Sequence, residues 1–268
     1  MNHCNILIEI PSAVALQPEF EPLVKEARAV LRAGLGALLD SVYLYGSVSR
    51  GDAQPGQSDL DLTLVLTRPL SPQERESLEY MRLQLQERYP VASKIDFDLG
   101  LRDEVLHPGN VNSWGYWLKH ECRCIDGTDL ALQFSAFQPS AAIARAVNEG
   151  YSQTLADYAH RISAANSHEE MRRLQKEAAR KLVRATNVLR PESDSYWPRT
   201  LEDHAAYFSG LYPDMAPPMA FFLKQARAPE AQAMVFIEKL ARFTQWMLHQ
   251  PAPRIAEGSV RARLGLSR

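Results

Sequence analysis

Val42-Tyr43-Leu44-Tyr45-Gly46-Ser47, followed beyond a polar loop by Asp59-Leu60-Asp61-Leu62-Thr63-Leu64-Val65-Leu66, is the stretch whose reading decides the fold. Its β-branched and aromatic opening reads as a buried strand. Gly46-Ser47 turns the chain, and the Gly, Asp, Gln and Pro residues between Gly51 and Ser58 read as a loop. In the second strand, alternation sends Asp59 and Asp61 to one side and Leu60 and Leu62 to the other. Two carboxylates placed so closely repel each other, and the pattern makes chemical sense when a divalent cation sits between them.

Working outward, Leu23, Val24, Ala27, Val30, Leu31 and Leu35 recur at helical spacing between Pro18 and Leu39, with Gly34 and Gly36 weakening the last turns. Residues 5–10 read as a short strand or an ordered arm. Downstream, Ser71, Pro72 and Glu74 carry the spacing of a capping box, and the helix they open runs to about Tyr89, before Pro90. Lys94 to Leu99 then alternates as a strand, with Ile95, Phe97 and Leu99 on one face and Asp96 and Asp98 on the other. That strand is a source of a third carboxylate. Trp114, Tyr116 and Trp117 read as core or pocket wall, and Cys122 to Ile125 with Asp126-Gly127 as a last strand and turn. His120 beside Cys122 and Cys124 invites a zinc reading, but Cys-x-Cys is the wrong spacing for most zinc knuckles and no second Cys/His pair follows.

Strand, Gly-Ser turn, spacer and paired aspartates in this order resemble the signature of the polymerase-beta-like nucleotidyltransferase superfamily. The run from Gly46 to Gly51 is especially similar to bacterial aminoglycoside adenylyltransferase-type and minimal nucleotidyltransferases. The resemblance implies an α+β fold: an N-terminal nucleotidyltransferase domain, a mixed sheet flanked by helices, followed by an α-helical bundle. It implies Asp59, Asp61 and Asp96 as catalytic and metal-binding carboxylates. Asp96 best matches the third position by its place relative to Asp103-Glu104, while Asp98 shares its face. Gly46 lets backbone approach a phosphate, and Ser47 offers a hydroxyl and an N–H. A short helix starting at Ser47 would add N–H groups to the same anion site. Ser58, at the loop's end, joins the expected nucleotide contacts. Arg50 reads equally as a phosphate contact and as a surface ion-pair partner.

Pro139 marks the border to the helical half. The expected domains are residues 1–136, 137–252 and a flexible basic tail, 253–268. Ala141 to Ile162 reads as helical. Ser167 with Glu170 caps a helix reaching about Leu189 that carries Arg172, Arg173, Lys176, Arg180, Lys181 and Arg184, with Arg172, Lys176 and Arg180 in line. Thr200 with Asp203 opens a shorter helix, and Pro218 to Arg227 and Pro229 to His249 give the last two. In similar two-domain enzymes the helical domain closes over the nucleotide and supplies a cation to the triphosphate. By that resemblance Lys181, Arg184 and Arg199 are the candidates.

At 268 residues, 46% hydrophobic and 23% charged, the chain has ample material for a core. A net charge of −2 excludes a strongly basic nucleic-acid binder on charge alone. Cys4, Cys122 and Cys124 make no disulfide framework. No stretch reaches membrane-span length and no leader pattern opens the chain, so the expectation is a cytoplasmic protein. The expected reaction is transfer of a nucleoside monophosphate to an acceptor hydroxyl, with two Mg²⁺ ions and, by resemblance, ATP as donor. The leading acceptor is a small molecule such as an aminoglycoside-like antibiotic, whose amines would call for acids such as Asp98, Asp103, Glu104, Asp126 and Asp129. Asp96, Asp98, Glu177 and Glu202 all stand as general base. Transfer to protein or tRNA, and a non-catalytic nucleotide-binding or partner-binding protein, are the alternatives.

Overall fold

The computed structural model describes residues 7–11 and 14–250. Cys4, the start of the N-terminal arm and the basic tail expected over 253–268 lie outside the described residues. The chain divides into two compact units, meeting in sequence between Phe137 and Gln138.

The first unit is a four-stranded mixed sheet. Its strands are β1 (Leu39–Tyr45), β2 (Leu60–Leu66), β3 (Ile95–Leu101) and β4 (Arg123–Gly127), in the order β3-β2-β1-β4. Helix α1 (Glu21–Leu35) precedes β1, α2 (Gly46–Arg50) follows it directly, and α3 (Pro72–Arg88) crosses over between β2 and β3. That crossover makes β2 and β3 parallel, whereas β1 pairs antiparallel with both β2 and β4. Alternation gives the sheet two faces. Val42, Leu44, Leu60, Leu62 and Leu64 share a core with Leu23, Leu31, Leu78 and Leu85 of α1 and α3. Tyr43 and Val65 pack on the other side against Val105, Leu118 and Leu130. Asp59, Asp61, Asp96 and Asp98 stand on or beside that second face.

Local signals held where they were strong. α1 stops at Leu35, the last of its periodic apolar residues, where Gly36 turns the chain at φ 53°. Ser71 and Glu74 form both bonds of the capping box, and α3 ends at Arg88. Between β3 and β4 the backbone follows no single period. After α4 (Arg102–Val105) the chain winds through one 3₁₀ turn and two π-helical turns, Val111–Gly115 and Trp117–Glu121. Residues 7–11 are an arm rather than a strand: the Ile8 N–H donates to Phe137 O at 2.8 Å. His120 ties the arm down through both ring nitrogens, Nδ1 to Glu9 O and Nε2 from the Phe137 N–H, each at 3.0 Å. Both nitrogens are committed to backbone, which answers the zinc reading of His120.

The second unit holds α5 (Ala141–Val147), α6 (Tyr151–Ser163), α7 (His168–Ala185), α8 (Leu201–Leu211), α9 (Ala216–Gln225) and α10 (Ala233–Leu248). It is the expected helical bundle, with Leu174, Leu182, Phe208, Phe222, Phe236 and Phe243 in its core. The single helix expected over 141–162 is two, because Gly150 takes φ 67° and breaks it. Thr200 and Asp203 form a full capping box. At Ser167 the hydroxyl accepts from Glu170 N, but the Glu170 carboxylate reaches the N–H of Asn166 instead.

Candidate active site

Strand register, which is not written in any local pattern, brings the acids together. Asp61 faces Tyr45 across β1–β2 and Asp96 across β2–β3; Thr63 faces Asp98. Asp59 stands just ahead of β2, its carboxylate accepting from the Ser93 hydroxyl at 2.5 Å. Asp98 accepts from the Tyr45 hydroxyl. The Lys94 ammonium pairs with Asp96 at 2.8 Å. Tyr45 packs edge-on against Trp117, ring centres 4.9 Å apart, and the Trp117 N–H donates to the buried Thr63 hydroxyl at 3.2 Å. Tyr45 and Trp117 pack against the core formed by Tyr43 and Val65 on this face.

Gly46 begins α2 in the left-handed region, at φ 73°. A Cβ there would stand 2.3 Å from Asp61 Oδ2, so the Asp61 carboxylate lies directly against the glycine backbone. Gly51 closes the short helix at φ 75°. The loop beyond is held shut. Gln17 clamps Ala53 through two bonds of 3.0 Å, and Ser58 Oγ accepts from Gln54 N at 2.9 Å. Arg50 is exposed and pairs with Asp52 at 3.4 Å.

The electrostatics are those of an acid cluster with one close counter-ion. Burial, then the charges of Asp59, Asp96 and Asp98, push the Asp61 carboxyl up to about 7, and Lys94 opposes them. The donor set is all carboxylate oxygen, which suits a hard divalent cation and would remove the repulsion that raises Asp61. Among the described residues no three acidic, histidine or cysteine side chains already converge into a metal-ligand cluster. Asp59, Asp61 and Asp96 are the residues that would hold such an ion.

The remaining expected residues are accounted for separately. Of the acids proposed for a cationic acceptor, Asp126 is tied to Arg28 and Arg32, and Asp129 caps Ala131. Lys181, Arg184 and Arg199 belong to the second unit. Burial and the neighbouring Arg184 charge lower the Lys181 ammonium. Arg184 is exposed on the last turn of α7, and the Arg199 N–H donates to Asp203 at 3.2 Å. Glu177 and Glu202 are in ion pairs with Arg173 and Arg227.

Tyr45, Ser93 and Lys94 are site residues that the acid pattern alone does not name. Two of them carried a signal. Lys94 alternates with Asp96 and Asp98, and Tyr45 immediately precedes the Gly-Ser turn.

A glycine-serine turn running into a helix, two aspartates at the head of the next strand and a third acid on its parallel neighbour form the arrangement that the resemblance to polymerase-beta-like nucleotidyltransferases implies. Residues 24–106 match the family model described as a nucleotidyltransferase domain, a stretch that runs from within α1 through α4 and includes Asp59, Asp61, Asp96 and Asp98. Among solved structures, the chain is similar to a spectinomycin adenyltransferase, AAD(9), from Enterococcus faecialis, crystallised with ATP and spectinomycin. The likeness has a TM-score of 0.55 at 14% identity and covers 84% of this chain and 98% of that one, which makes it a likeness of fold. No curated protein matches.

Proposed function

We propose that this protein transfers a nucleoside monophosphate, AMP from ATP, to a hydroxyl of a small acceptor in a Mg²⁺-dependent reaction. The observation that carries the reading is the register of Asp61 opposite Asp96, beside Asp59 and against Gly46. The donor and the small acceptor take their support from the fold neighbour's two ligands. The acceptor oxygen bonds to the α-phosphorus, the bond from that phosphorus to the α,β-bridging oxygen breaks, and pyrophosphate leaves with the electron pair. The acceptor proton passes to a carboxylate of the same face, Asp96 or Asp98. Asp59, Asp61 and Asp96 would hold the divalent ion, which would supply charge stabilisation for the displacement. Gly46 and Ser47 present backbone N–H groups and a hydroxyl to the phosphates. Lys181, Arg184 and Arg199 are the candidate triphosphate contacts, each testable by nucleotide affinity.

The direct test is pyrophosphate release from each of the four ribonucleoside triphosphates with Mg²⁺. Aminoglycosides, lincosamides, tRNA and cell-extract protein serve as separate acceptor pools. Release with ATP and an antibiotic pool is expected. Release with tRNA or protein alone would replace the small acceptor, and nucleotide binding without release from any pool would favour a sensing role.

Metal binding should also be pH-dependent. The ion needs Asp61 ionised, and its carboxyl holds a proton until about pH 7. Apparent Mn²⁺ affinity is therefore expected to rise about tenfold from pH 6 to pH 8, then level off, with proton release to buffer during titration below pH 7. A flat profile would mean that Asp61 is ionised throughout or is no ligand.

A further inference from the structure

We propose that Lys94 is a placeholder cation: it neutralises Asp96 while no metal is bound and yields that carboxylate to the incoming divalent ion, so that it sets the metal concentration at which the site loads. The inference rests on the metal-dependent reading above and assigns the residue that regulates it.

The pairing geometry comes first. Lys94 Nζ lies 2.8 Å from Asp96 Oδ1, and Asp96 is the register partner of Asp61. The Lys94 backbone is fixed: its carbonyl accepts at 2.8 Å from the N–H of Leu60, the residue between Asp59 and Asp61, which locks Lys94 beside the head of β2. The side chain is not fixed in the same way. Its exposure is 36% and that of Asp96 is 37%, so the pair is half in water and cheap to break. A lysine head is a compact charge on a flexible stem, able to leave without dismantling the strand that carries it.

The other neighbours of the acids behave differently. Asp59 and Asp98 are held by hydroxyls, from Ser93 and Tyr45, which are neutral donors and do not repel a metal ion. The second cation near Asp96 is Arg82. Its guanidinium grips Glu79 through two bonds, at 2.6 and 2.7 Å, and its remaining arm donates to Ile95 O at 3.2 Å. Arg82 is thus committed to structure, whereas Lys94 is paired with a carboxylate that the reaction needs. A positive charge on Asp96 competes with a divalent ion twice, by occupying an oxygen and by repelling the ion.

The test is titration of Mn²⁺ alone, without nucleotide, followed by electron paramagnetic resonance at pH 8. It compares wild type, Lys94→Gln, Lys94→Arg, Asp96→Asn and Asp61→Asn, with far-ultraviolet circular dichroism confirming that each is folded. Lys94→Gln is expected to bind Mn²⁺ about two- to fivefold more tightly than wild type, the range of one half-exposed ion pair. Lys94→Arg is expected to keep weak binding because the charge is retained, and Asp96→Asn to bind less well. Unchanged or weaker Mn²⁺ binding by Lys94→Gln, with wild type binding and Asp61→Asn impaired, would overturn the placeholder role and leave the carboxylate site standing. If Asp61→Asn binds as wild type does, the metal reading of these aspartates falls, and the role of Lys94 with it.

Discussion

Asp61→Asn is expected to abolish nucleotidyl transfer while making the metal-free protein more stable at pH 8. The loss in kcat should be at least about 10²–10³-fold, the range found when one electrostatic contact to a transition state is removed. The gain in stability follows from linkage. The Asp61 carboxyl, ordinarily near 3.8, is raised to about 7 in the folded chain by burial and by Asp59, Asp96 and Asp98. Between these values the folded state binds more protons than the unfolded state. The contribution of Asp61 to stability is therefore full below about pH 4, falls as pH rises toward 7, and stays lost above it. Asparagine keeps the shape and removes the buried charge. Above pH 7 the variant should gain about 2–4 kcal/mol over the metal-free wild type, and below pH 4 almost nothing. Urea unfolding in chelator at pH 4 and pH 8 measures both ends. Saturating Mg²⁺ should shrink the difference by stabilising wild type preferentially. Equal stability of the two proteins at pH 8 would mean that the cluster is not strained.

Gly46→Ala is expected to strain the backbone and displace the Asp61 carboxylate together. The backbone sits at φ 73°, where any side chain is strained, and the new Cβ would meet Asp61 Oδ2 at 2.3 Å. Strain of this kind costs about 1–3 kcal/mol. The carboxylate must also move, and a displacement of order 1 Å in a reacting group costs about 10²-fold in rate. Gly56→Ala separates the two effects. Gly56 has nearly the same φ, 72°, but nothing lies within 4 Å of the added atom. That variant should lose stability and keep activity. Steady-state kinetics with Mn²⁺ affinity, measured on both, distinguishes a bent backbone from a displaced ligand. Comparable kcat/KM for the two alanine variants would show that Asp61 has room to relax.

Much of the site was legible because its signals are local. Gly46-Ser47 marks a turn, and alternation puts Asp59 with Asp61 and Asp96 with Asp98, whatever the rest of the chain does. The caps at Ser71 and Thr200 formed as their spacing requires, since a hydroxyl reaches only the N–H groups of its own first turn. Where the reading failed, the deciding residue acted through backbone geometry. Gly150 breaks a helix that composition alone would continue, and the π turns of 111–121 have no period to recognise.

By itself, the sequence determined an α+β nucleotidyltransferase domain followed by helices, and which residue types share a strand face. Those properties depend on the intrinsic repeat of the backbone, and they travel with the residues. The tertiary structure decided that Asp61 stands opposite Asp96 rather than Asp98, that Tyr45 serves Asp98, that Lys94 serves Asp96, and that Asp126 is taken by Arg32. It also decided that burial and three acids from separate positions raise the Asp61 carboxyl to about 7. Register between β2 and β3 is set by a crossover helix and by burial of the face beneath, and the field at one carboxylate sums charges from separate strands. Neither quantity exists until the sheet has formed.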